Sequence, residues 1–439
     1  MFRFIASAAL PIALTAWSSQ AAAATSFRNE VAPLLQRRCG TCHDAEQAKG
    51  RYRMDTFERL MKPGESDLAP VTPGKPKDSE LYNLLLEHSP EDRMPQKADP
   101  LPEAEIALLE RWISEGAVCD GSSPQQPLVE MVRESMLHDA PQRYARPVPA
   151  TTVAFSPDGH QLAVSGYYEV TIWNVSDGIL LSRIGRLPER ITSIAWHPHL
   201  PLLAVAGGSP NQWGTVALAD PTNIASPRYL CDLPEVALSV AFSPDGTRMA
   251  AGCGDRTVRL YNPVTGRERK VLKLHADWVQ TVAFSPDGER LLSASRDRTA
   301  RVINPATFEV LASYTAHETP LLAAAFSADN SRAWSLARGG IIQRWDASNG
   351  EKKGEFKGAD FISLLPVGNA MITTATDRKL RVYEDDKQKA TWDGPSDYPQ
   401  CVAASPDGRT IAIGGSDGVV TLLEATDGKT VGHFIVQPR

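Results

Sequence analysis

The sequence predicts a multidomain chain, a small all-α domain followed by an all-β, seven-bladed propeller. Two observations carry that expectation. A Phe-Ser-Pro-Asp-Gly turn, or a variant of it, recurs seven times from Phe155 onward at spacings of 39 to 46 residues, the period of a four-stranded blade. The stretch before it lacks the repeat and places apolar residues three and four apart between Pro/Gly loops, as short amphipathic helices do.

The 439 residues exceed what one core usually serves, and 42% hydrophobic content with both charge signs interspersed describes soluble globular material. A formal net charge of −6 offers no attraction to nucleic acid or to an anionic membrane surface. Residues 1–24 carry Arg3, an apolar run from Phe4 to Trp17, and alanines ending at Ala24, which reads as a secretory signal peptide cleaved near Ala23 or Ala24. The run is short for a bilayer span, and no later stretch is apolar enough for one, so the mature chain is expected without a membrane span.

The α domain is expected over residues 25–121. Its central feature is Cys39-Gly40-Thr41-Cys42-His43, two thiols about one helical turn apart followed by an imidazole. That pattern serves one covalently bound haem c: both thiols add to vinyl groups while His43 reaches the iron as proximal ligand. A thioredoxin-like pair would need a βαβ pattern, and a zinc site a second Cys/His pair at zinc spacing; the sequence has neither. Helices are expected over Ser26 to Arg38, with Phe27, Val31 and Leu34 on one face; after a Ser79 cap, with Leu81, Leu84 and Leu85; and from Pro102 to Gly116, with Ile106, Leu109, Ile113 and a core Trp112. Candidates for the sixth ligand are Met54, Met61, Met94 and His88. Met94 is best placed, because Asp92-Arg93-Met94-Pro95 forms an inter-helix loop and proline favours an extended backbone before it. A thioether raises the reduction potential and suits an electron carrier. An open sixth site is the alternative.

Over Cys39 to Gly116 the chain resembles the small cytochrome c domains of planctomycetes and related bacteria. The resemblance rests on Cys-Gly-Thr-Cys-His, on Pro73-Gly74-Lys75-Pro76-Lys77-Asp78-Ser79-Glu80-Leu81-Tyr82, on Arg93-Met94-Pro95, and on Glu105 to Ile113 leading to Gly116-Ala117. It implies Cys39 and Cys42 as haem attachment points and His43 and Met94 as axial ligands of the haem iron.

A linker is expected over residues 122–150, where Ser122 to Pro127 and Arg146 to Pro149 bracket a stretch containing Leu128, Met131, Val132, Met136 and Leu137. It reads either as a docking helix or as a loose tether.

The propeller is expected over residues 151–439. Each copy runs from alternating apolar residues through the turn into a second strand, then a third ending in an aromatic or aliphatic residue and a polar one, as in Trp173-Asn174, Tyr261-Asn262 and Trp345-Asp346. These are degenerate Trp-Asp dipeptides, and the region resembles WD40-repeat proteins throughout. The resemblance implies structural roles for Asp255, Asp297, Asp377 and Asp417 in the turn before the third strand, and for His275 and His317. His197 lies in a repeat turn. A closed ring leaves no open edge, and residues 430–436, with no repeat after them, are expected to supply the outer strand of the blade formed by residues 151–175. Cys119, Cys231, Cys253 and Cys401 are expected as free, mostly buried thiols.

The expected function is that of an exported, periplasmic mono-haem c-type cytochrome, an electron carrier and not a catalyst, whose propeller docks a redox partner protein. Two other readings stay open: an oxidoreductase with an active site in the propeller channel, and a haem-based redox or gas sensor.

Overall fold

The computed structural model describes residues 24–436 except 46, 97, 359, 369, 385 and 386. The signal peptide expected over residues 1–24 therefore lies outside the described residues but for Ala24. Among the described residues no helix is long and apolar enough to cross a membrane.

The N-terminal region is built from short helices. The Ser26 hydroxyl accepts from the Asn29 amide and opens a wide turn over Phe27–Val31. This turn continues into α1 (Ala32–Arg38), where Pro33 sits in the first turn and loses no helical hydrogen bond. Then come α2 (Gly40–His43), α3 (Phe57–Leu60), α4 (Glu80–Leu86), α5 (Glu103–Ser114) and α6 (Leu128–Met136). Phe27, Val31, Leu35, Leu60, Leu109, Trp112 and Ile113 form the core, and the Trp112 indole N–H donates to the Val118 carbonyl, which makes it a satisfied core side chain. Ser79 stands at the head of α4 without capping it: its hydroxyl donates to the Lys75 carbonyl and accepts from the Thr72 amide, because the preceding loop has buried polar groups of its own to satisfy.

Seven four-stranded antiparallel sheets follow in chain order. The first strands of successive blades touch one another around the ring and are therefore innermost. The Pro-Asp-Gly turns place their third residue in the left-handed region, with φ 76° at Gly159, 69° at Gly246 and 75° at Gly288, and Asn330 takes the same place at 61°. In each the serine before the turn donates to the aspartate, as Ser156 does to Asp158 and Ser405 to Asp407. His197 does this work in blade 2, its Nδ1 accepting from the His199 and Leu200 amides.

Ring closure differs from the sequence expectation. Thr430–Ile435 pairs with Val419–Glu424 inside its own blade, and the first blade finds its outer strand in Leu180–Ile184. The repeat begins on an inner strand, so each copy already holds four strands and no exchange is required. The seam closes by a ring contact and a backbone bond: Phe434 stacks on Trp173 at 4.9 Å, and the Ala150 amide donates to the Gly415 carbonyl.

Residues 122–150 dock. Leu128, Met131 and Val132 of α6 enter the helical core, which also takes in Trp213 of blade 2. Arg133 pairs with Asp232 at 2.7 Å and lies 4.8 Å over the Tyr229 ring, while Trp213 donates to Asp232. Further on, Tyr144 donates to the buried Glu169, which Arg183 also holds, and Arg183 reaches back to the Pro141 and Gln142 carbonyls.

The expected structural residues behave as such. His275 bridges Asp297 (3.0 Å) and Ser293 (2.9 Å), and Asp297 also takes the Ala276 amide and the Thr299 hydroxyl. Asp255, Asp377 and Asp417 accept from the amides of Thr257, Lys379 and Val419 within their own turns. His317 bonds Ser335, which also receives the Trp345 indole N–H. Burial, with Lys352 nearby, holds the His317 imidazole down to about 4. Its folded value lies below the unfolded one, so its contribution is complete above pH 6.5 and is lost as pH falls toward 4. Urea unfolding is expected to show a loss of up to about 3 kcal/mol across that window, and His317→Gln to flatten the slope. The cysteines outside the Cys39/Cys42 pair are free as well, Cys253 buried and Cys119, Cys231 and Cys401 half-buried.

Candidate cofactor site

One cleft of about 380 Å³ gathers the residues singled out above. Leu35, Arg38, Cys39, Cys42, His43, Tyr52, Met54, Leu81, Leu84, Leu85, Met94, Pro95 and Leu109 are among its walls. Helix α1 ends on Cys39, whose amide donates to the Leu35 carbonyl, and the Cys42 and His43 amides both donate back to Cys39. Both thiols and the imidazole are thereby held on one tight turn. Opposite, α4 presents Leu81, Leu84 and Leu85, and its Leu84 carbonyl accepts the Met94 amide at 3.0 Å. That bond brings Met94 over the same space as His43.

The orientation of His43 is defined by its Nδ1, 3.3 Å from the Tyr52 carbonyl. A carbonyl only accepts, so Nδ1 carries the proton and Nε2 keeps its lone pair for a metal. Tyr52 is braced in turn: its hydroxyl donates to the Leu60 carbonyl, its ring meets His43 edge-on at 5.4 Å, and burial pushes its phenol well up, so it stays a neutral donor. Burial, and then Cys42 beside it, push the Cys39 thiol up to about 12. A redox dithiol works through a lowered thiol, so this environment suits a thioether precursor better than a thioredoxin-like pair.

Among the sixth-ligand candidates, Met94 and Met54 line the cleft; Met61 packs against the neighbouring core and His88 is exposed. Met54 is nearly buried, and its amide donates to the His43 carbonyl, which ties its backbone to the His43 side. Glu105 anchors the attachment turn to α5 by accepting from Arg37 and twice from Arg38. Burial alone would raise its carboxyl, but the Arg38 and Arg37 bonds outweigh that and hold it below the usual range. Sequence reasoning passed over Tyr52, Glu105 and the rim residues Lys49, Glu65 and Glu80. A bond accepted by a backbone carbonyl leaves no trace in side-chain identity, and Glu105 lies 66 residues from the motif it steadies. None of the described residues of α6 or of the propeller lines the cleft. Among the described residues no group of three or more His, Cys, Asp or Glu converges to hold a metal ion.

Fold and site together define a cytochrome c-type domain joined to a seven-bladed WD40 propeller. Residues 39–97 match the family described as planctomycete cytochrome C, and residues 234–262, 266–304 and 386–422 match the WD domain, G-beta repeat. The chain is also 34% identical over 93 residues to a probable serine/threonine-protein kinase, PkwA, of Thermomonospora curvata. That stretch is 20% of this chain and spans 12% of the relative.

Proposed function

We propose that the chain is an exported, mono-haem c-type cytochrome that passes single electrons, with the propeller as a platform for a redox partner. The carrying observation is that two thiols, an imidazole with a free Nε2 and a thioether surround one apolar cleft. The donor set fits haem c: Cys39 and Cys42 would attach it covalently, and His43 and Met94 would ligate its iron. Bound there, haem c supplies a one-electron iron couple. The chain's own residues do the rest. Tyr52 orients His43, Glu105 steadies the attachment turn through Arg37 and Arg38, and Leu35, Leu84, Leu85 and Leu109 keep water from the ligands.

Among the described residues the cleft is walled by the helical domain alone, which leaves the propeller surface to a partner. The docked α6 holds that domain in one pose, which supports the propeller as a separate contact surface. After export and maturation, the denatured chain is expected to retain haem stain, and Cys39→Ala/Cys42→Ala to lose it. A wild-type chain without bound haem would overturn the reading.

A further inference from the structure

The cleft has a polar rim beside its apolar walls, formed by Arg38, Lys49, Glu65, Ser66, Glu80 and Gln96. Two of these side chains are cations, and they are engaged differently. Arg38 gives its Nε and Nη2 to the two Glu105 oxygens, at 2.9 and 3.0 Å. The Lys49 ammonium has no hydrogen-bond or ion-pair partner among the described residues, although Glu65 and Glu80 line the same cleft. Glu80 accepts the Ser66 hydroxyl at 2.7 Å, and the Glu65 amide donates to the Gly50 carbonyl at 2.7 Å, so Lys49 and the two acids belong to one connected stretch of rim.

The loop that carries Lys49 is strained. Ala48 (φ 37°) and Arg51 (φ 52°) occupy the left-handed region without being glycine, and Gly50 (62°) lies between them. Residues held in such conformations gather at ligand clamps. Neighbouring backbone keeps the loop in place. The Tyr52 amide donates to the Lys49 carbonyl at 3.2 Å, and Gly64 allows the two loops to meet. A Cβ at Gly64 would stand 2.7 Å from the Gly50 carbonyl oxygen and 2.9 Å from the Tyr52 Cβ. Because the Tyr52 carbonyl also orients His43, the segment that sets the iron ligand also fixes where the Lys49 side chain begins.

We propose that Lys49 anchors the haem by pairing its ammonium with one of the haem side-chain carboxylates. The proposal rests on the haem reading above and adds a holding residue to it. Haem c carries two ionised carboxylates on an otherwise apolar ring. A carboxylate brought to a rim that already holds Glu65 and Glu80 is repelled unless a cation stands with it. Arg38 is committed to Glu105, so among the described residues lining the cleft Lys49 is the uncommitted cation. Lys49 is exposed, so the pair keeps part of its hydration and its effect is modest. A positive charge beside the haem also favours the reduced iron.

The test uses the full-length, haem-loaded chain and compares Lys49→Met and Lys49→Arg with the wild type. Lys62→Met is the control, because Lys62 pairs with Glu58 and neither lines the cleft. Attachment is covalent and the axial ligands are untouched, so every variant is expected to keep its haem stain and low-spin spectrum. Lys49→Met is expected to shift the haem carboxylate bending band in the resonance Raman spectrum. It is also expected to lower the ratio of reduced to oxidised haem at a fixed potential about threefold at low salt, and by less at high salt. Lys49→Arg is expected to restore the ratio, and Lys62→Met to change neither readout. An unmoved carboxylate band in Lys49→Met, whatever the potential does, would overturn the proposal and leave the cytochrome reading standing. Loss of the stain or of the low-spin spectrum in Lys49→Met would assign the residue a structural role and overturn it too. A wild-type chain without haem would remove both readings.

Discussion

The Met94→Ala chain is expected to keep its covalent haem and to lose its low-spin, methionine-ligated spectrum. Nothing in the substitution touches Cys39, Cys42 or His43, which lie on the other side of the cleft from α4 and its Met94-bearing loop. What disappears is a soft donor that favours reduced iron, so the midpoint potential is expected to fall by on the order of 0.1 V. Oxidised and reduced optical spectra, with a redox titration, check both parts. Met54 gives the experiment a contrast. It lines the same cleft but is tied by its backbone to the His43 side, so Met54→Leu is expected to leave the methionine-to-iron charge-transfer band in place. If the band vanished with Met54 and survived without Met94, the ligand assignment would be reversed. A wild-type spectrum already high-spin and responsive to added ligands would favour an open site and the sensor reading.

Arg133→Ala is expected to loosen the two domains by about 3 kcal/mol near neutral pH, the cost of leaving one member of a buried ion pair without its partner. Asp232 is the member left behind. Burial raises its carboxyl to about 6 even with Arg133 and Trp213 holding the charged form. A carboxyl raised on docking binds its proton more tightly when docked, so protonation favours docking and the advantage is lost as pH climbs through about 6. The damage done by Arg133→Ala is therefore expected to shrink as the pH falls, because Asp232, without the partner that holds its charged form, neutralises and no bare charge is buried. Limited proteolysis of residues 137–143, compared at pH 5 and pH 7.5, measures the loosening. Equal sensitivity of wild type and variant at pH 7.5 would show that the apolar contact of α6 with Trp213 suffices on its own.

The parts legible in advance were those with short-range signals. Asn330 in place of glycine could be read as a turn residue because it also tolerates left-handed backbone, and it takes φ 61°. His275 and His317 announced buried hydrogen-bonded roles by their place in the repeat, and both bond serine hydroxyls of the second strand of the next blade. The outer strand of blade 1 was missed because Leu180–Ile184 follows the third strand after a short turn and carries no dipeptide signature. Without it, residues 430–436 looked spare. Ser79 was read as a cap from its position alone, yet its hydroxyl is taken up by the Thr72 amide and the Lys75 carbonyl and caps nothing.

What the sequence by itself determined was the Cys39-to-His43 turn and the helical periodicity around it, set by spacings shorter than a single element, and the seven repeats, set by a short turn signature recurring every 39 to 46 residues. Only the tertiary structure decided which groups from distant segments meet. It brought Met94 to the cleft of His43, set the Tyr52 carbonyl against the His43 imidazole, and turned residues 128–136 into a docked helix held by Arg133 and Asp232. Contacts between segments dozens of residues apart depend on how whole elements pack, and a buried backbone acceptor or a cross-domain ion pair has no local signature from which to read it.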